Sequence, residues 1–362
     1  MRPSPARHPR LIPRWLPSIA LVALVGWAAT ARSEMFVLTS TAVRVFADGA
    51  VGDVAPLRSI EGAATTLFAP SGLVVDLGRR EIYVSNGNGS VLVFAMDASG
   101  NVAPIRTLAG ATTELATFLG GLALDLENDE LWVASPSNGK VLVYDRGASG
   151  DSAPKRSITG ASTGLSGPVS LLIDLVHDEV YVSDAFGSPK EVSVFDRTAS
   201  GDATPKRSLN GTFAPANPRQ TFVDLDRDEL IVVDVAPSIS TYARTASGND
   251  PRLRMIAGPT TSLEFPVGLV VTASGEMLVS DNGTNGPSLD SVLGFGQDDT
   301  GDVAPVRELA GTNPNLSFPA GLASDRAVHC SESHVVSSCL FRESFEAPDL
   351  CRWSAQTGAP PC

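Results

Sequence analysis

Gly72-Leu-Val-Val-Asp76, Glu81-Ile-Tyr-Val84, Val91-Leu-Val-Phe94 and Pro104-Ile-Arg-Thr-Leu-Ala-Gly110 are four short apolar runs packed into residues 72–110. Each is strand-length, alternates in polarity and is bounded by Gly, Asn, Asp or Pro, which is how short β-strands joined by tight turns are written. We label the runs A to D. Run A recurs as Gly121-Leu-Ala-Leu-Asp125, Ser170-Leu-Leu-Ile-Asp174, Gln220-Thr-Phe-Val-Asp224, Gly268-Leu-Val-Val-Thr272 and Gly321-Leu-Ala-Ser-Asp325. The starts are 49, 49, 50, 48 and 53 residues apart. Such a period lies in the range of propeller blades.

The two ends of the array decide how it closes. It opens on a run B (Glu34-Met-Phe-Val-Leu38), then a C (Val43-Arg-Val-Phe46) and a D (Pro56 to Gly62), with no A before them. The sixth A stands at Gly321–Asp325, at the far end. Six complete sets therefore exist only if the chain ends share one sheet. The expected fold is all-β: a six-bladed β-propeller of four-stranded antiparallel blades, the last blade closed by three N-terminal strands and one C-terminal strand. Closure hides the edges that an open array would expose, and a solenoid needs no complementary half-blades.

Residues 1–31 differ in kind. Arg2, Arg7, Arg10 and Arg14 precede an apolar stretch from Trp15 to Ala29, and Ala29-Thr-Ala31 is a small-residue cleavage pattern. The stretch is short for a membrane span of roughly 20 residues. The expectation is a signal peptide over 1–31 with a secreted or periplasmic product, a retained anchor being the alternative; a propeller over 32–325; and a tail over 326–362. Loss of those arginines moves the formal charge from −13 to −17. A surface that acidic disfavours nucleic acid and anionic membranes as partners, and a soluble monomer is expected.

All four cysteines, Cys330, Cys339, Cys351 and Cys362, lie in the tail at spacings of 9, 12 and 11. Without close Cys-x-x-Cys pairs in an exported chain, two disulfides are expected rather than a zinc site, and three pairings are open.

The elements at Pro70–Asp76, Glu81–Ser85 and Val91–Phe94 resemble the NHL-repeat family of six-bladed propellers. The resemblance covers residues of the whole array and implies fold rather than activity, since propellers host enzymes, receptors and scaffolds alike. One departure is an added S-G-x-x-A-P-x-R element at Ser99–Arg106 and Ser149–Arg156, repeated with Thr for Ala at Ser200–Arg207; it is similar to a bacterial exported subgroup. The tail segment Phe341–Ser354 resembles a short F-E-x-x-D-x-x-x-W-S terminus of exported Gram-negative proteins, which implies a small module or a surface-directing segment.

Two charged positions repeat in register. Arg58, Arg106, Arg156, Arg207, Arg254 and Arg307 follow the repeat glycine by six residues, and Glu34, Glu81, Glu130, Glu179, Glu229 and Glu276 open every run B. Runs B and D lie two strands apart, at about 4.8 Å per spacing, so each Arg can reach the Glu of its own blade across one sheet face. Six structural ion pairs are expected. A third position is polar in every unit: Thr39, Asn86, Ser135, Asp184, Asp234 and Asp281. It falls where B enters the B-to-C loop, on the face where the channel of a propeller opens. Two readings are open, an Asx-type cap on the strand end and a ligand-binding ring at the channel mouth able to hold calcium.

No Ser-His-Asp set, H-E-x-x-H or phosphate loop can be assembled. His177 is the one histidine in the array and reads as a turn residue rather than a general base. The expected function is a non-catalytic exported propeller that binds a protein, peptide or glycan through its loop face, without a cofactor. The alternatives are a structural role in an envelope assembly and a calcium-dependent hydrolase of the gluconolactonase type.

Overall fold

The computed structural model describes residues 33–283 and 290–325. The expected signal segment, the tail and its four cysteines lie outside the described residues.

Six four-stranded antiparallel sheets are present. Blade 1 is formed by Gly72–Asp76, Glu81–Asn86, Ser90–Ala95 and Arg106–Leu108, innermost strand first. Blades 2 to 5 repeat that order from Leu122, Pro168, Pro218 and Pro266. Blade 6 joins the two ends of the array: Gly321–Ser324 pairs with Glu34–Leu38, followed by Ala42–Ala47 and Arg58–Glu61. Asp325 continues the closure beyond the strand, accepting the Glu34 N–H and the Ser33 hydroxyl at 2.8 Å. The sheets are apolar on both faces because each packs against two neighbours. Six buried clusters fill the six interfaces, for example Phe36, Val45, Ile82, Val84 and Phe94 between blades 6 and 1.

The outermost strands are shorter than their sequence runs, as in Arg156–Ile158 against Pro154–Gly160. Proline at the start has no N–H for a ladder, and the glycine at the end takes a φ of +133° that leaves the strand region. The innermost strands of blades 3, 4 and 5 start earlier than their runs, at Pro168, Pro218 and Pro266, each across a register shift. Four one-turn 3-10 helices unforeseen in the sequence follow outermost strands, at Ala63–Thr65, Ala111–Thr113, Ala161–Thr163 and Pro259–Thr261.

The added S-G element joins one blade to the next. Gly100, Gly150, Gly201, Gly248, Gly301 and Gly52 each form a parallel bridge to the outermost strand of the preceding blade. The residue after each glycine reaches the same neighbour: Asp151 accepts the Thr112 N–H at 2.7 Å, Asp202 the Ser162 N–H at 2.6 Å, and Asp53 the Asn313 N–H at 2.7 Å. The last of these joins blade 6 to blade 5. Edges that would otherwise template aggregation are thus covered around the whole ring.

Candidate functional site

The repeated Glu and Arg meet within every blade. Arg156 grips Glu130 at 2.6 and 2.8 Å and Arg207 grips Glu179 at 2.7 Å twice. Arg58 with Glu34, Arg106 with Glu81 and Arg254 with Glu229 are bidentate in the same way, and Arg307 reaches Glu276 through Nε at 3.0 Å. Two residues after the Glu, on the same strand face, stands the ring that backs the guanidinium: Phe36, Tyr83, Trp132 and Tyr181, at 4.9–5.7 Å. The pairs are partly buried and join two strands of one blade, and Arg58, Arg156, Arg207, Arg254 and Arg307 also donate to a carbonyl of the next blade, so they serve the fold.

The third repeated position is not at the channel surface. Thr39, Asn86, Ser135, Asp184, Asp234 and Asp281 are at most 3% exposed, and none lines the channel-mouth cavity. In four of the six, Asn86, Asp184, Asp234 and Asp281, the side-chain oxygen faces the loop that leads into the innermost strand. Asp184 accepts the N–H groups of Ser166 and Gly167, Asp234 those of Ala216 and Asn217, and Asp281 those of Glu264 and Phe265. Asn86 takes the Phe68 N–H at 2.7 Å, and Thr39 bonds the Ala42 carbonyl at 3.1 Å. Ser135 Oγ finds no partner among the described residues. Buried backbone amides need acceptors, and these side chains supply them. The ligand-ring reading is thereby corrected: none of the six lines the mouth, and in four blades the side chain anchors a loop.

What the anchors hold is the surface around the channel. Its cavity, about 50 Å³, is lined where the six innermost strands begin, by Gly72, Gly121, Ser170, Gln220, Val267 and Gly321, together with Arg219. The strands converge so closely that a Cβ on Gly72 would stand 2.6 Å from the Gly120 carbonyl oxygen. On the loops of this face stand five phenylalanines, two of them beside Arg219. Phe68, Phe118, Phe186 and Phe318 are 62–65% exposed and Phe265 37%. Each is tied by its N–H to the strand-end layer: Phe68 to Asn86, Phe118 to the Gly87 carbonyl, Phe186 to Asp184, Phe265 to Asp281 and Phe318 to Asp290. Phe118 and Phe318 have left-handed backbone, at φ of +59° and +51°. Such strain persists only where surrounding bonds impose it, and it gathers at functional sites.

Arg219 lies between two of these rings, 5.9 Å from the centroids of Phe186 and Phe265. Its guanidinium has no ion pair or hydrogen bond among the described residues. Burial draws its pKa below the ordinary guanidinium value, with Asp234 partly offsetting the loss. Arg219 and its aromatic flanks were missed in the sequence because they break the repeat. The position before run A is otherwise small or aliphatic (Ser71, Gly120, Val169, Val267, Ala320). Three residues before run A stand, in blade order, Ala69, Phe118, Gly167, Asn217, Phe265 and Phe318. At Gly167 the space is filled from another loop, since a Cβ there would meet the Phe186 Cβ at 2.5 Å. An arginine in a column of small residues was the available signal.

This lining does not suit calcium. A hard cation asks for carboxylate and carbonyl oxygens, whereas the mouth presents Arg219 and no carboxylate. Among the described residues no group of three or more His, Cys, Asp and Glu is placed to hold a metal. His177 lies on the opposite face, in the turn after the blade 3 innermost strand, with Nδ1 2.8 Å from Asp174.

No protein-family model and no curated protein matches the chain. Solved structures do match. The chain is similar to one from the crystal structure of a nidogen/laminin complex, with 13% identity and a TM-score of 0.58 over 81% of this chain and 98% of that one. It is also similar to a protein of unknown function from Bacteroides caccae, with 9% identity and a TM-score of 0.59 over 81% of this chain and 99% of that one. At such identities the likeness establishes the propeller fold alone.

Asp281 gives the anchor layer a measurable pH response. Burial pushes its carboxyl up to about 6, with the N–H bonds from Glu264 and Phe265 opposing. The folded protein then holds this proton to about pH 6, while an unfolded chain releases it near pH 4. Stability therefore falls as pH rises through that window. Asp281→Asn keeps an acceptor for the loop, as Asn86 does in blade 1, and has no proton to lose. The stability of Asp281→Asn relative to the parent is expected to rise by about 1–3 kcal/mol between pH 4 and pH 7. Urea titrations of both proteins across that range check it.

Proposed function

We propose that the protein is an exported, non-catalytic binding propeller that engages a protein or peptide through the loop face around its channel. The observation that carries this reading is the aromatic rim. Five phenylalanines from different loops stand in solvent, each fastened by its backbone N–H to a buried anchor. Preformed aromatic surface on a rigid scaffold is what protein recognition uses, because it buries large apolar area with little ordering of side chains. Among the described residues no helix is long and apolar enough to cross a membrane.

Affinity capture from envelope extracts tests the reading. A partner retained by the parent protein should be lost with Phe118→Ser/Phe318→Ser and kept with Ile105→Ser/Val306→Ser, which alters exposed side chains elsewhere. Equal retention by both variants would place binding away from the rim. A thermal-shift scan with calcium and with EDTA addresses the hydrolase alternative. No shift is expected, whereas a calcium-dependent rise in Tm would favour a metal-dependent enzyme.

A further inference from the structure

The chemistry of the mouth narrows what the rim can receive, given the loop-face reading above. Arg219 is a guanidinium with five donors, and neither flanking ring is a hydrogen-bond acceptor of ordinary strength. Several other arginines that are partly buried are taken up by carboxylates: Arg197 by Asp125, Glu127 and Asp178, and Arg146 by Asp76 and Asp129. In a chain with a formal charge of −13, the Arg219 guanidinium has no carboxylate partner among the described residues and lies between two rings instead. Gln220 lines the same mouth, and its Oε1 accepts the Leu269 N–H at 3.2 Å, which leaves its amide –NH2 as a second donor.

We propose that the channel mouth binds a peptide carboxylate, with Arg219 receiving the two oxygens and the Phe186 and Phe265 rings receiving the apolar side chain beside it. A planar carboxylate matches one guanidinium fork, oxygen for N–H. Phosphate groups are ordinarily met by clusters of arginines, and this lining supplies one cation and no second. The cavity of about 50 Å³ admits a carboxylate with a water or two. A sugar ring does not fit it, so a uronic acid would meet the arginine only from outside. The flanking rings exclude water from the ion pair, which strengthens it, and they give affinity to an adjacent leucine or phenylalanine side chain.

The carboxylate could be a chain terminus or an Asp side chain, and the test separates the two. Fluorescein-labelled Gly-Gly-Leu-Phe is measured by anisotropy as the free acid and as the C-terminal amide, beside Gly-Leu-Asp-Phe-amide. The proteins are the parent, Arg219→Met, Arg219→Lys and Phe118→Ser/Phe318→Ser. One carboxylate peptide should bind the parent at least about 10- to 100-fold tighter than the amide. Arg219→Met should remove that preference, Arg219→Lys should restore part of it, and the melting temperature should stay within a few degrees. The tighter of the free acid and the Asp peptide identifies the source. Equal binding of acid and amides, or a preference that survives Arg219→Met, overturns the carboxylate assignment. Absence of binding by every peptide up to about 1 mM, or tighter binding of a glucuronate-bearing disaccharide than of either acid, also overturns it. The broader reading has a separate readout: it fails only if the partner captured from envelope extracts is indifferent to the rim variant.

Discussion

Glu179→Ala is expected to destabilise the protein by about 3–5 kcal/mol, the largest effect of any charge deletion in the ring. Glu179 is 5% exposed. Its carboxylate receives Arg207 at 2.7 Å through both oxygens, Lys206 at 2.9 Å, the Tyr181 hydroxyl at 3.1 Å and Arg244 at 3.3 Å. Arg244 comes from blade 4, so this one carboxylate also ties two blades together. Alanine leaves Arg207 and Arg244 in place without their shared counter-charge. Arg244 retains Asp228 at 2.5 Å and Arg207 retains the Arg244 carbonyl at 3.2 Å, which keeps the loss within the range for removing one partner of a buried pair. The pH response provides an independent check. Burial by itself would raise the Glu179 pKa, but the bonds from Arg207 and Lys206 outweigh it and push the carboxyl down to about 2. Its contribution is therefore fully present above about pH 4.5 and is lost as pH falls toward 2, amounting to roughly 3 kcal/mol. In urea titrations the gap between parent and Glu179→Ala should narrow over that window. A gap that is small at pH 7, or constant down to pH 2.5, would mean the pair is solvated in a way its burial contradicts.

The features legible in the sequence are those that every blade repeats. Blade number and closure followed from the positions of Glu34 and Gly321, and the pairing of Glu81 with Arg106 from two columns of identical charge. Repetition of that kind reports what each sheet needs to exist. The binding surface is written in departures from the repeat, where Arg219 replaces a small residue and Phe186 from one loop occupies the place beside Gly167 in another. Neither is visible from a pattern within one unit. Asp184 and Asp281 show the same limit from the other side. Their position was right, at the end of the second strand, but a carboxylate near a loop serves a ligand or serves backbone amides according to which groups are closer. That distinction depends on the path of the preceding loop, through Ser166, Gly167, Glu264 and Phe265, which carries no periodic signal. The S-G element was visible as an addition, yet its partners lie in the neighbouring blade, so its role as a clasp emerged only from the packing of one blade on the next.

That clasp underlies the second large expectation: Gly160→Ala should cost about 2–5 kcal/mol, as the sum of two separable effects. Gly160 has φ +133° and ψ 171°, a region that only glycine enters at low energy, and an alanine held there is strained by about 1–3 kcal/mol. The added methyl group also meets the clasp of the next blade. A Cβ at Gly160 would lie 2.4 Å from Asp202 Oδ1 and 2.5 Å from its carboxyl carbon. Asp202 must then swing away from the Ser162 N–H at 2.6 Å and the Ser162 hydroxyl at 3.0 Å. Charged hydrogen bonds of this kind contribute about 1.5–3 kcal/mol, less where solvent competes, as it does here. The two effects come apart in a double-mutant cycle with Asp202→Ala, which removes the carboxylate and leaves the glycine backbone free. If the methyl group acts partly through the clasp, Gly160→Ala should be milder in the Asp202→Ala background by about 1–2 kcal/mol. If it acts through backbone strain alone, the two substitutions will add, and the clasp will have no share in the glycine requirement. Gly110 with Asp151, and Gly258 with Asp302, repeat the geometry with Cβ approaches of 2.2 and 2.5 Å, so the same cycle at either site must give the same sign. Because each clasp covers the outer edge of the preceding blade, the double mutants should also aggregate faster on partial unfolding than Glu179→Ala at equal stability.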